Sequence, residues 1–365
     1  MRAEAYRSGR RAAIAALTLI GLLALGTVWW VLSLNRQRLA EFQRGVAFAS
    51  WQRGEFASAK SDETLAEAIQ PTGATWISLI VTCYQDTPRA TQIDCDGDHT
   101  ASDEDVLHAI RQAHGLGIRV MLKPHIDLAD PSRWRGEIGF GHDEEAWRAW
   151  FAAYTDFITR YAALAETANA DYFVVGTELV ETSGRADDWR RAVEAVRSNY
   201  RGPITYAANH DGEELAVQWW DAVDAIGVDA YYPLTESNQP TVGELREAWE
   251  PIVARLGALS RQWDRPIILT EIGYQSANGA NRAPWGVPES PVDLQEQADC
   301  YQAALEALAG KDWLRGMYWW AWDTNPAQGD PNDGTFSPHG KPAEEVLRRY
   351  YANPAWPKNG DKAGP

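Results

Sequence analysis

The chain has 365 residues, 45% of them hydrophobic, which bounds it to one large domain or two small ones and excludes wholesale disorder. Its net charge is −17, and since residues 1–44 carry seven Arg and two Glu, the remainder carries −22. So acidic a body repels phosphate backbones, which argues against a nucleic-acid partner and favours a neutral substrate over a polyanion.

Residues 1–11 form a basic tail with Arg2, Arg7, Arg10 and Arg11. Residues 12–34 are apolar apart from Thr, Ser and Gly, long enough to span a bilayer as a helix. Trp29 and Trp30 lie near the far end, where aromatic rings favour the membrane interface. A cleaved signal peptide is the alternative, but apolar sequence continues past its small-x-small site at Ala24-Leu-Gly26. A buried helix of the body is a second alternative, disfavoured by the polar linker at 35–44. The segment reads as an uncleaved transmembrane signal anchor. The modest Arg bias, with Arg36, Arg38 and Arg44 after the span, points the tail inward and the body to the periplasmic or extracellular side.

From residue 45, short β-rich runs alternate with helical patterns. The runs are 45–50, 76–82, 119–124, 172–176, 203–208, 225–231, 266–270 and 315–322. Pro124 marks the point where the third run is expected to leave the sheet. Helical spacing places Val106, Leu107, Ile110 and Ala113 on one face of 103–114. A longer stripe from Trp147 to Leu164 covers 144–166, and another from Leu245 to Trp263 covers 243–263. Further helices fit 187–199, 213–222, 293–309 and 342–351. Eight such units predict a (β/α)8 TIM barrel over 45–353, with 354–365 as a flexible tail and the chain acting as a monomer. A doubly wound sheet is the alternative, but the first run is followed by Trp51-Gln-Arg-Gly-Glu-Phe56, with a lone Gly and no phosphate loop.

Cys83 and Cys95 flank one short segment and can pair in an oxidising compartment, while Cys300 falls on an apolar helical stripe. Asp94-Cys-Asp-Gly-Asp98 begins like a calcium loop, but the sixth position is His99 and the twelfth Asp105, so it reads as an Asx-rich turn and no metal site is assigned.

In a barrel, catalytic groups sit at the C-terminal ends of strands. The fourth run ends Gly176-Thr177-Glu178 and the seventh Thr270-Glu271. A glutamate directly after a buried strand costs free energy unless it has a partner or a task; an ion-paired rim residue is the plain alternative for either one alone. Two of them, across the barrel mouth, fit glycosidic cleavage by a protonated acid and an ionised nucleophile about 5 Å apart. The 18 tryptophans agree, because flat apolar rings cover the C–H faces of sugars. Lys123 and His125 after strand three, and Asn209 and His210 after strand five, are candidate hydrogen-bonding partners of substrate or of the catalytic pair. Trp51 and Trp285 are candidate sugar platforms, and the loops 278–290 and 323–334 candidate cleft walls.

These stretches resemble glycoside hydrolase family 113, within the clan of retaining (β/α)8 glycosidases. The matching segments are Val120-Met-Leu-Lys-Pro-His125, Tyr172-Phe-Val-Val-Gly-Thr-Glu-Leu179, Ile226-Gly-Val-Asp-Ala-Tyr-Tyr-Pro233, Ile268-Leu-Thr-Glu-Ile-Gly-Tyr274 and Tyr318-Trp-Trp-Ala-Trp322. The resemblance implies an endo-β-1,4-mannanase that needs no cofactor and acts on a polysaccharide, with Glu178 as acid/base and Glu271 as nucleophile. It also implies a Tyr after strand six that donates to the nucleophile, Tyr231 rather than Tyr232 by strand alternation, and a Trp floor under the cleaved sugar, Trp320 or Trp322. Most of the clan has Asn just before the acid/base; Thr177 stands there, so the contact to the substrate 2-hydroxyl is open. A related β-glycosidase or transglycosylase acting on a surface or exported polysaccharide, and a non-catalytic glycan-binding barrel, remain the competing readings.

Overall fold

A computed structural model describes residues 42–286, 290–325, 332–353 and 356–357. The basic tail, the apolar segment 12–34 and residues 35–41 of the linker lie outside these residues. Among the described residues, no helix is long and apolar enough to cross a membrane.

Eight parallel strands close into a barrel in sequence order. They are β1 (Gln43–Ala49), β2 (Trp76–Gln85), β3 (Arg119–Leu128), β4 (Tyr172–Thr177), β5 (Ile204–Asn209), β6 (Ala225–Asp229), β7 (Ile267–Ile272) and β8 (Leu314–Asp323). β1 pairs with β8 from Gln43↔Gly316 to Ala49↔Asp323, which closes the ring. The strands are buried on both faces, so they read as near-continuous apolar runs rather than alternating ones. β1 starts two residues inside the segment expected to be linker, where Gln43 Oε1 accepts from Tyr318 Oη at 2.7 Å at the barrel floor.

The outer helices follow the sequence periodicity, and their caps define their starts. Ser102 and Asp105 form a capping box on Asp103–Gly115, and Thr241 and Glu244 another on Val242–Trp263. Asp143 caps Glu144–Ala168, which stops at Asn169 in the left-handed conformation, φ 56°.

Four expectations need correction. β3 does not leave the sheet at Pro124: it pairs with β2 as far as Gln85↔Leu128. Its ladder to β4 ends at Leu122↔Phe173, so beyond that point β3 has a free edge, where a residue without an N–H is tolerated. The helix expected over 213–222 is instead two short turns, Glu213–Ala216 and Trp220–Ala222. Trp219 and Trp220 are both fully buried, their indole N–H groups donating to Ser183 O and Glu214 O. Between the two turns Val217 (ψ 123°) and Trp219 (φ −139°) leave the helical region, so no single helix runs through. The predicted sixth run overshoots, because β6 ends at Asp229 and Tyr231 follows the strand. Finally, the tail is not free at Trp356, which is 4% exposed, donates to Leu305 O at 3.3 Å and packs on Tyr351.

Cys83 and Cys95 are joined as a disulfide, Sγ–Sγ 2.13 Å, tying the C-terminal end of β2 to the loop after it. Cys300 is buried. In that loop Asp94 Oδ1 accepts from Asp96 N at 2.8 Å, an Asx turn.

Candidate active site

The C-terminal ends of the strands open into a cleft of about 690 Å³. Glu178 and Glu271 both line it, with His125, Asn209, Tyr231 and Trp320. The strand that delivers Glu178 is irregular: the β4–β5 register shifts between Val174 and Thr177. Gly176 permits this, since a Cβ there would stand 2.7 Å from Tyr154 Oη and 2.8 Å from Trp189 Cη2. Glu178 itself has φ 51°, an uncommon conformation for a residue with a side chain, and its N–H donates to Ala207 O at 2.8 Å.

Glu271 is 5% exposed and its two oxygens are held by different groups. Lys123 Nζ donates to Oε1 at 2.5 Å and Tyr231 Oη to Oε2 at 2.7 Å. Lys123 is fully buried and also reaches both oxygens of Asp229, at 3.0 and 3.1 Å. Thr270 Oγ1 donates to Asp229 Oδ1 at 2.7 Å. Two carboxylates thus share one ammonium, an arrangement whose desolvation cost is offset only because each oxygen is hydrogen-bonded. Burial, then the charge of Glu271, pushes the Asp229 carboxyl well above its ordinary range, with Lys123 opposing.

Glu178 sits in a different environment. Asn209 Nδ2 donates to its Oε1 at 2.7 Å, and Trp134 Nε1 lies 3.4 Å from Oε2. Burial raises its proton affinity, Arg135 opposes this, and the charge on Glu271 raises it further. The two carboxyls are therefore set apart chemically, one surrounded by donors and the other inclined to keep its proton.

His125 is 2% exposed. Arg135 Nη1 lies 2.9 Å from its Nδ1, and because a guanidinium only donates, Nδ1 must accept. Burial, then Arg135 and Lys123, hold the imidazole pKa well below its ordinary value, so the ring is neutral with its proton on Nε2. That N–H has no protein partner among the described residues and lies 3.7 Å from Glu271 Oε1, beyond bonding reach. The atom is itself buried.

The remaining sequence candidates separate. Trp320 lines the cleft, its ring parallel to His125 within 4° at 6.4 Å, and a cis peptide joins it to Ala321. Trp322 faces the outer core and is 2% exposed. Trp51, 40% exposed, packs edge-on to Trp320 at 6.4 Å. Lys123 and Thr177 are buried beneath the cleft and do not line it; Thr177 Oγ1 has no protein partner among the described residues. Tyr232 turns away to Glu214 and Trp249. Trp285 is exposed on the rim and stacks on His210 at 5.8 Å. Much of the loop expected to wall the cleft after β8 lies outside the described residues, but Phe336 beyond it lines the cleft.

Sequence reasoning does not find Arg135 or Trp134, because their loop has no periodicity and nothing local says that it folds over the mouth. Asp229 is passed over as a site residue, although an acid ending an apolar strand is the same signal that singles out Glu271.

The sequence profile of Glycoside Hydrolase Family 113 matches residues 46–341. A solved complex of a GH113 β-1,4-mannanase is 32% identical, with a TM-score of 0.78, covering 86% of this chain and 99% of that one. The GH113 β-mannanase AaManA from Alicyclobacillus acidocaldarius, in complex with ManMIm, is 31% identical with a TM-score of 0.77, covering 86% and 97%. A β-glucuronidase from Ruminococcus gnavus, 11% identical with a TM-score of 0.57 over 85% of this chain and 50% of that one, shares the fold alone. No curated protein matches the chain.

Proposed function

The chain belongs to glycoside hydrolase family 113 and is a glycoside hydrolase, and from that premise we propose that it cleaves β-1,4-linked mannan by double displacement. The observation that carries this reading is the opposite setting of two carboxyls on one cleft. Glu271, aimed by Tyr231 and Lys123, attacks the anomeric carbon, while Glu178 gives its proton to the departing glycosidic oxygen. A covalent glycosyl–Glu271 ester results. Glu178, now ionised, takes a proton from water, which attacks the same carbon and releases Glu271 with net retention. Tyr231 and Lys123 stabilise the carboxylate as it leaves. Trp320, in the cleft lining, offers the sugar one flat face. The β-mannanase relatives, alike over nearly their whole length, support mannan as the polymer.

The test is a panel of linear mannan, glucomannan, xylan and cellulose, with the first-formed reducing ends read by NMR. Oligosaccharides from mannan and glucomannan but not cellulose, released as β-anomers, are expected. Release from another glycan alone would replace the substrate, and α-anomers would remove the double displacement. If the wild type cuts none but binds one, the chain is a glycan-binding barrel.

We also propose that residues 12–34 anchor the enzyme in a membrane with the barrel on the oxidising side. The apolar run, the four Arg before it and the Cys83–Cys95 disulfide support this. The full chain should stay with membranes after alkaline carbonate washing, and a chain beginning at Phe42 should not. Release of the full chain would overturn the anchor.

A further inference from the structure

Glu213 follows β5, outside the reacting pair, and is 3% exposed. The Tyr206 ring that touches it packs among Trp189, Trp219 and Trp220, each at about 5–6 Å. A carboxyl in such surroundings is costly unless both oxygens are used. Both are: Oε1 accepts from Tyr206 Oη at 2.6 Å and Oε2 from Asn209 N at 2.7 Å. Tyr206 Oη in turn accepts from Leu179 N at 2.9 Å. Asn209 Nδ2 donates to Glu178 Oε1. Leu179 is the residue directly after Glu178, whose own φ is 51°.

We propose that Glu213 is a positioning residue for Glu178, clamping the turn behind it through Tyr206 and aiming its carboxyl through Asn209. The inference rests on Glu178 being the acid/base. Asn209 N can only donate, and Tyr206 Oη, already accepting from Leu179 N, gives its own proton to the other oxygen, so a carboxylate meets both as they stand; Gln meets both only by turning its N–H to Tyr206, which reverses that bond and loosens the clamp on Leu179. The released turn is a left-handed backbone that an L-residue holds only when its surroundings impose it. Glu213 is itself titratable near neutrality. Burial pushes it up to about 7, against the hydrogen bonds from Tyr206, the Asn209 main chain and Ser183, and the charge of Glu178 adds to the rise.

The test uses Glu213→Gln in the full chain, with mannohexaose and 2,4-dinitrophenyl β-mannobioside as substrates. The dinitrophenolate leaves without a proton, so its kcat/KM does not depend on the acid. The variant is expected to lose about 10–100-fold in kcat/KM on mannohexaose, with KM little changed, and about 3-fold or less on the dinitrophenyl substrate. Equal loss on both substrates means a merely structural role and overturns the proposal. Where Glu213→Gln fails to fold, Tyr206→Phe, which keeps the carboxyl but cuts the link to Leu179, must show the same leaving-group selectivity or the proposal falls. Glu178→Ala serves as reference: if its loss is equal on both substrates, Glu178 is not the acid and the inference fails with that assignment, a result distinct from an inert Glu213→Gln beside a selective Glu178→Ala.

Discussion

Glu271→Ala is expected to lower kcat on mannan by about 10⁴-fold or more, while mannohexaose still binds. The carboxylate is aimed from β7 into the cleft by two separate donors, and among the described residues no neighbour can replace it as the attacking group. Asp229 is fully buried behind Lys123. Folding should survive, because Lys123 keeps Asp229 as its counter-charge and is not left unpaired in the interior. The check is kcat on mannohexaose with binding by calorimetry, followed by addition of azide. Azide should enter the space vacated by the carboxyl and yield an α-glycosyl azide, since it attacks from the nucleophile's side. Substantial turnover without azide, or a β-glycosyl azide, would refute the assignment of Glu271.

Glu178→Ala is expected to reduce kcat/KM on mannohexaose by about 10²–10⁴-fold and to spare the dinitrophenyl substrate. The pH dependence carries a sign that can be worked out. An acid works only while protonated. Burial and the charge of Glu271 raise the Glu178 pKa, Arg135 opposing, so the proton stays to a higher pH than on a free carboxyl. Activity should therefore be complete below that raised value and fall as pH climbs through it. In Glu178→Ala this alkaline limb should be absent. A limb that persists unchanged in the variant would assign the proton to another group.

The outcome for individual residues shows where sequence reasoning stops. Glu178 and Glu271 are legible because each follows an apolar strand directly, and a closed barrel brings all such ends to one mouth. Alternation favours Tyr231 over Tyr232, and Tyr231 does reach Glu271 at 2.7 Å, but from beyond the end of β6, where strand alternation no longer governs. Lys123 is visible as a lone ammonium within an apolar run, but its partners lie 106 and 148 positions away, so its burial cannot be read locally. The choice between Trp320 and Trp322 also depends on neighbours. β8 shifts register against both β1 and β7, and those shifts decide which ring meets His125.

What the chain order alone determined is the barrel and the two acids at its mouth, because apolar periodicity dictates which faces are buried and strand ends are a topological property. What only the tertiary structure decided is everything that depends on side chains converging from separate strands and loops. The Lys123–Asp229–Glu271 cluster, the Arg135 that forces the tautomer of His125, and the Glu213 network behind Glu178 belong to this second kind. Each is a set of short directional contacts, and such contacts exist only once the fold has brought distant residues within hydrogen-bonding distance.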